Sequence, residues 1–223
     1  MSNEINKFLA TKSGRILTGL AARKAAAREQ SGEPEVISPT QMEHRIGIVF
    51  DDSGSMGREA IADAHEGVEE FLRSCEKDKT AVAVYPMNAE KLLLCSNLPA
   101  VAIMVKQIRA SGGTPLIATA ARMLKENNLT RAIVFSDGMP DTRTDYESLL
   151  KYKIPIDTVY ISNGNFENEF LRQLAADTGG IYLHFQRGLS NFRTAFKYLS
   201  PGLRYMLADS SFKEKIQGRG TGD

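Results

Sequence analysis

From residue 45 onward, short apolar runs alternate with segments whose apolar positions recur every three or four residues. Residues 45–50 (RIGIVF) are almost continuously apolar, the pattern of a strand buried on both faces. Similar runs at 80–85 (TAVAVY), 91–95 (KLLLC), 131–136 (RAIVFS), 156–161 (IDTVYI) and 181–185 (IYLHF) bring the expected strands to six. Between them, Ile61, Ala64, Val68, Phe71, Leu72 and Cys75 follow helical spacing. So do Leu98, Val101, Met104, Val105 and Ile108, and then Ile117, Ala120, Ala121 and Leu124 after a helix-opening Pro115. Further helices are expected around 146–151, 166–176 and 189–199. This alternation predicts a doubly wound α/β fold: a mostly parallel six-stranded sheet with helices on both faces. The short link between the second and third strands predicts one antiparallel edge strand, and the run at 45–50 is the expected centre.

The flanks read differently. Residues 1–42 are alanine-rich, helix-prone and locally basic, with Ile5, Leu9, Ile16 and Leu20 along one face and a Ser/Gly/Pro-rich linker behind them. We expect an N-terminal arm and linker at 1–42, one domain at 43–208 and a solvated tail at 209–223. In a chain of 223 residues, 42% hydrophobic, there is room for one α/β core of this size. Lys and Arg number 28 against 27 Asp and Glu, so net charge offers no general attraction to nucleic acid or an acidic membrane. Cys75 and Cys95 are too few for a disulfide scaffold and read as reduced core residues. No apolar run has transmembrane length and the N-terminus lacks a signal-peptide pattern, so a cytoplasmic location is expected.

Candidate chemistry sits where expected strands end. Asp51, Ser53 and Ser55 occupy alternate positions in the DDSGSMG turn after residue 50. Thr114 follows Gly112-Gly113 ahead of a helix, and Asp137 ends the strand at 131–136. In open α/β sheets ligands bind outside the carboxyl ends of the strands, so three loops can converge there. Two carboxylates and three hydroxyls are hard donors, suited to Mg²⁺, with Mn²⁺ or Ca²⁺ as alternatives, and unsuited to tetrahedral Zn²⁺. Any one of these hydroxyls could equally be a helix cap. Asp52 falls outside the alternation and is expected to be a solvated rim charge.

Asp-x-Ser-x-Ser, a loop Thr and a strand-end Asp, in that order, resemble the metal-ion-dependent adhesion site (MIDAS) of the von Willebrand factor A (vWA) domain family. The resemblance implies that Ser53, Ser55 and Thr114 coordinate the ion, while Asp51 and Asp137 hold its waters or bind it in some states. It further implies a protein-binding module that captures a partner's Asp or Glu. Intracellular bacterial and phage members often act as adaptors for MoxR-type AAA+ ATPases, and that is the expected role. The alternative is a structural or assembly component of a larger particle, tethered by the N-terminal arm.

Enzymatic readings find little support in the motifs. A haloacid-dehalogenase-like phosphohydrolase needs a second Asp where Ser53 stands. No Gly-x-Ser-x-Gly elbow or Walker loop is present, and His44, His65 and His184 have no evident role as a base. His184 lies in an apolar run and is expected to be a packed or edge histidine. No enzyme activity, catalytic residue or organic cofactor is expected.

Overall fold

The computed structural model describes residues 42–138, 140, 146–162, 164, 166–186, 196–210 and 212–213. The chain separates into two units, 1–37 and 38–223, and only the second contains described residues. The arm expected at 1–42, apart from Met42, therefore lies outside them, as do residues 189–195 of the last expected helix and residues 214–223 of the tail.

Six strands form one sheet: β1 (His44–Phe50), β2 (Thr80–Pro86), β3 (Leu92–Cys95), β4 (Arg131–Ser136), β5 (Ile156–Ser162) and β6 (Tyr182–Gln186). Their order is β3-β2-β1-β4-β5-β6. Every neighbouring pair is parallel except β2–β3, so the sheet is mostly parallel with one antiparallel edge strand. β1 is flanked by β2 on one side and β4 on the other, and the order of strands reverses there. That reversal opens a crevice at the carboxyl ends of β1 and β4.

Helices α1 (Gly57–Ser74) and α2 (Leu98–Val105) cover one face, with α3 (Leu116–Glu126), α4 (Glu147–Leu150) and α5 (Glu169–Thr178) on the other. Ile46, Ile48 and Phe50 of β1 pack toward α1 residues Ala64, Val68 and Phe71, while Val49 packs toward Ala120 and Met123 of α3. Burial of β1 on both faces follows from this two-sided covering. Gly47 is required by the close approach of α3, because a Cβ there would lie 2.6 Å from Met123 Sδ and 2.5 Å from Leu129 Cδ1.

Local chemistry sets several boundaries. α2 starts behind Asn97, whose side chain accepts from Ala100 N at 3.1 Å, and it ends at Val105 rather than at the expected Ile108. α5 starts at Glu169, three residues later than expected, because Asn168 caps it by accepting from Leu171 N at 3.0 Å. It closes on Gly179 in the left-handed conformation (φ 72°). Of the last expected helix, Phe196 and a short 3₁₀ turn, Lys197–Leu199, are described. A second 3₁₀ turn spans Arg204–Ala208. Phe212 meets the Tyr198 ring edge-on at 4.8 Å, so the chain is still packed beyond residue 209.

His184 is 4% exposed on edge strand β6, stacked on Tyr160 with its Nε2 2.7 Å from Ser162 Oγ. Both cysteines are free; Cys75 is buried and Cys95 half-buried. Burial pushes the Cys75 thiol up to about 12. Among the described residues, no helix is long and apolar enough to cross a membrane.

Two outcomes follow. In the native protein at pH 8, alkylation should leave Cys75 unmodified, because little of its thiol ionises below its raised pKa; in denaturant it should react freely, as peptide mass mapping would register. Gly180→Ala should cost about 3 kcal/mol in urea denaturation, since its Cβ would fall 1.9 Å from the Ile156 carbonyl oxygen.

Candidate functional site

The ladder of β1 continues one residue past the strand, with Asp51 N donating to Phe135 O at 3.0 Å. This places Asp51 at the strand-order reversal, fully buried. One carboxylate oxygen accepts from Ser53 N at 2.9 Å and the other from the Ser136 hydroxyl at 2.5 Å. Thus one carboxylate folds the turn after β1 back on itself and ties it to the end of β4.

The turn then presents its hydroxyls in sequence. Ser53 Oγ lies 2.9 Å from Ser55 Oγ, and Ser55 Oγ donates to Asp137 Oδ1 at 2.9 Å. Asp51, Ser53, Ser55 and Asp137 are therefore brought together from the ends of two strands, Ser55 and Asp137 lying 82 residues apart along the chain. The loop carrying Thr114 reaches the same edge through its backbone: Ser111 N donates to Asp52 O at 2.6 Å, and Gly54 N to Gly112 O at 3.0 Å. Thr114 itself is 8% exposed.

The Ser53 hydroxyl is not spent on capping a helix. A 3₁₀ turn, Gly54–Met56, leads into α1, and neither its cap residue Ser53 nor Met56, the cap of α1, makes a side-chain capping bond. At α3 the cap position is Pro115, again without such a bond.

Asp52 corrects the expectation of a solvated rim charge: it is fully buried. Its Oδ1 accepts from Asn88 N at 2.8 Å and Asn88 Nδ2 at 3.1 Å, while Oδ2 is buried with no hydrogen-bond partner. Burial pushes the Asp52 carboxyl above its ordinary value, and the Asn88 bonds act in the opposite direction. The physical reason for the correction is Asn88, which also donates to Gly113 O at 2.8 Å and clamps the loop after β2 to the Thr114 loop. Nothing in the sequence marked Asn88. Ser136 was equally unmarked, although it directly precedes Asp137. Asn168 completes the surround: besides capping α5, its Nδ2 donates to Gly138 O at 3.1 Å.

The donor set can be tested against a Mg²⁺ shell. With bonds of 2.0–2.1 Å, adjacent oxygens of an octahedron stand about 2.9 Å apart. The Ser53–Ser55 and Ser55–Asp137 spacings, both 2.9 Å, match that edge as well as an ordinary hydrogen bond. These oxygens can pass from bonding one another to facing a common cation with little rearrangement, so the residues fit the ion. Among the described residues no group of three His, Cys, Asp or Glu could hold a metal, so any ion at this edge depends on hydroxyls.

No family profile and no curated relative matches the chain. Solved structures do. The VWA domain of SpRpn10 matches at 12% identity with a TM-score of 0.55, over 71% of this chain and 95% of that one. An aerotolerance-related membrane protein from Bacteroides fragilis matches at 15% identity and a TM-score of 0.52, over 73% of this chain and 99% of that one. The pilus adhesin SpaC from Lactobacillus rhamnosus GG matches at 14% identity and a TM-score of 0.52, over 82% of this chain and 31% of that one. At such identities the likeness shows the fold alone: the chain has the vWA fold.

Replacing Asn88 with Ala should destabilise the domain by about 1–3 kcal/mol in chemical denaturation, because it leaves the buried Asp52 carboxylate without its side-chain donor.

Proposed function

We propose that this protein is a divalent-metal-dependent protein-binding module and that its site is a MIDAS formed by Asp51, Ser53, Ser55, Thr114 and Asp137. The observation that carries this reading is the continuous run of close oxygens, Ser53 Oγ to Ser55 Oγ to Asp137 Oδ1, beside the buried Asp51. Ser53, Ser55 and Thr114 would hold the ion directly. Asp51 and Asp137 would hold its waters, and Asp51 has both oxygens already oriented by Ser53 and Ser136. Bound there, Mg²⁺ supplies a Lewis-acidic position at which a carboxylate from another protein completes the coordination.

The chain's own residues supply the rest. Neutral hydroxyls leave more of the ion's charge uncompensated than a set of carboxylates would, which favours an acidic partner. Ser55 is exposed and Asp137 half-buried, so the outer side of the cluster is open to a partner. The site residues are assigned binding roles and no bond-breaking role. The sequence resemblance extends this reading to an adaptor, in the cytoplasm, for a MoxR-type AAA+ ATPase.

Mg²⁺ or Mn²⁺ should raise the thermal stability of the wild type. The stabilisation should approach about 2.7 kcal/mol at a hundredfold excess of free ion over Kd. Asp51→Ala should abolish that response. Because Asp51 also braces the turn, Ser55→Ala provides a second variant with an exposed side chain, and its response should weaken in parallel. Retention of an acidic partner on the immobilised protein should disappear in EDTA; capture that persists in EDTA contradicts the metal bridge.

A further inference from the structure

The opposite edge of the sheet, at the amino ends of β1 and β4, holds a cavity of about 290 Å³ that the proposed metal site does not use. Its polar lining includes His44, Arg131 and Arg204, and Pro155 and Pro201 form part of its apolar wall. His44 begins β1 and Asp51 follows its end, so the two sites are separated by the length of the central strand, about 20 Å.

Among the described residues, the charges that line this cavity or pair with its lining do not balance. Asp157 is fully buried beneath it and accepts from Arg204 Nη2 at 2.7 Å, from Arg204 Nε at 3.1 Å and from Ile181 N at 2.8 Å. Its remaining contact is an ion pair with Arg131 Nη1 at 3.5 Å. One carboxylate thus serves two guanidinium groups. Asp78 does not line the cavity; it accepts from Gly202 N at 3.3 Å. Arg131 is 8% exposed and donates from Nη2 to Leu199 O, while its Nε has no hydrogen-bond partner. Arg204 directs two of its three nitrogens, Nε and Nη2, at Asp157. The half-buried His44 lines the same cavity. Burial holds the Arg131 guanidinium below its usual value; the Asp157 carboxylate opposes that effect and the charge of Arg204 adds to it. A buried guanidinium with an unsatisfied nitrogen, sharing one carboxylate with a second guanidinium, is costly unless a further anion offsets the excess charge.

We propose that this cavity binds a phosphate group, with Arg131 and Arg204 compensating its charge and His44 at the mouth as a further donor. Two guanidinium groups that share one carboxylate leave a net positive charge at the cavity, which favours an anion. The volume admits the phosphate and leaves room for a small ester substituent. Free phosphate and a phosphomonoester share this chemistry, and the experiment separates them.

Isothermal titration of the full chain with inorganic phosphate, and separately with glycerol 3-phosphate, should give saturable binding that sodium chloride at equal ionic strength does not reproduce. His44→Glu places a carboxylate at the mouth and should weaken phosphate binding by about 10- to 100-fold, the range that losing one charge-assisted hydrogen bond implies. This variant should stay folded, with a melting temperature at or above that of the wild type, because the new carboxylate relieves the excess positive charge. Ser55→Ala should bind phosphate as the wild type does, which separates this site from the metal site. Whichever ligand binds more tightly identifies the source of the phosphate. Absence of saturable binding to the wild type, or unchanged binding to folded His44→Glu, overturns the proposal.

Discussion

The arrangement at the carboxyl edge depends on one buried carboxylate. Asp51 stands where the strand order reverses, and its two oxygens are taken by the backbone of Ser53 and the hydroxyl of Ser136. A fully buried carboxylate without such donors would carry a large desolvation penalty; with them, it fixes the turn after β1 against the end of β4. Ser53, Ser55 and Asp137 then stand in line as a consequence of that fixation, and the Ser53 hydroxyl is not engaged in capping a helix.

A second carboxylate supports the first. Asp52 Oδ1 accepts from the backbone and side chain of Asn88, and Asn88 ties it to the Gly113 carbonyl. Three connections, after β1, after β2 and before α3, thereby behave as one unit. A binding site composed of loops gains from such cross-bracing, since a loop ordered in advance loses less entropy when a partner arrives. The sheet provides the rigid base: β1 is buried on both faces and paired in parallel on both edges.

Much of this was legible in the sequence because it was local. The run RIGIVF is apolar throughout and lies at the centre of the sheet; the short connection after β2 does return an antiparallel edge strand. The alternation Asp51, Ser53, Ser55 follows directly from the end of that strand. What could not be read was non-local. Asp52 looked solvated because the partner that buries it is 36 residues away. Arg131, Asp157 and Arg204 each look like isolated charges in their own segments, and only the parallel pairing of β4 with β5 brings two of them together. Helix ends shifted for a related reason: Asn97 and Asn168 cap through single side-chain bonds that apolar periodicity does not register.

The two edges of the sheet thus carry opposite chemistries, an oxygen-rich cluster at the carboxyl ends of the strands and a guanidinium-rich cavity at the amino ends of β1 and β4. The central claim concerns the first. Its most direct test is a crystal structure grown with Mn²⁺, with diffraction recorded so that the ion's anomalous scattering locates it. One strong peak is expected, bounded by Ser53, Ser55 and Thr114, with Asp51 and Asp137 reaching it through water or directly. A fully occupied lattice with no peak there, at Mn²⁺ levels that saturate the protein in solution, would contradict it.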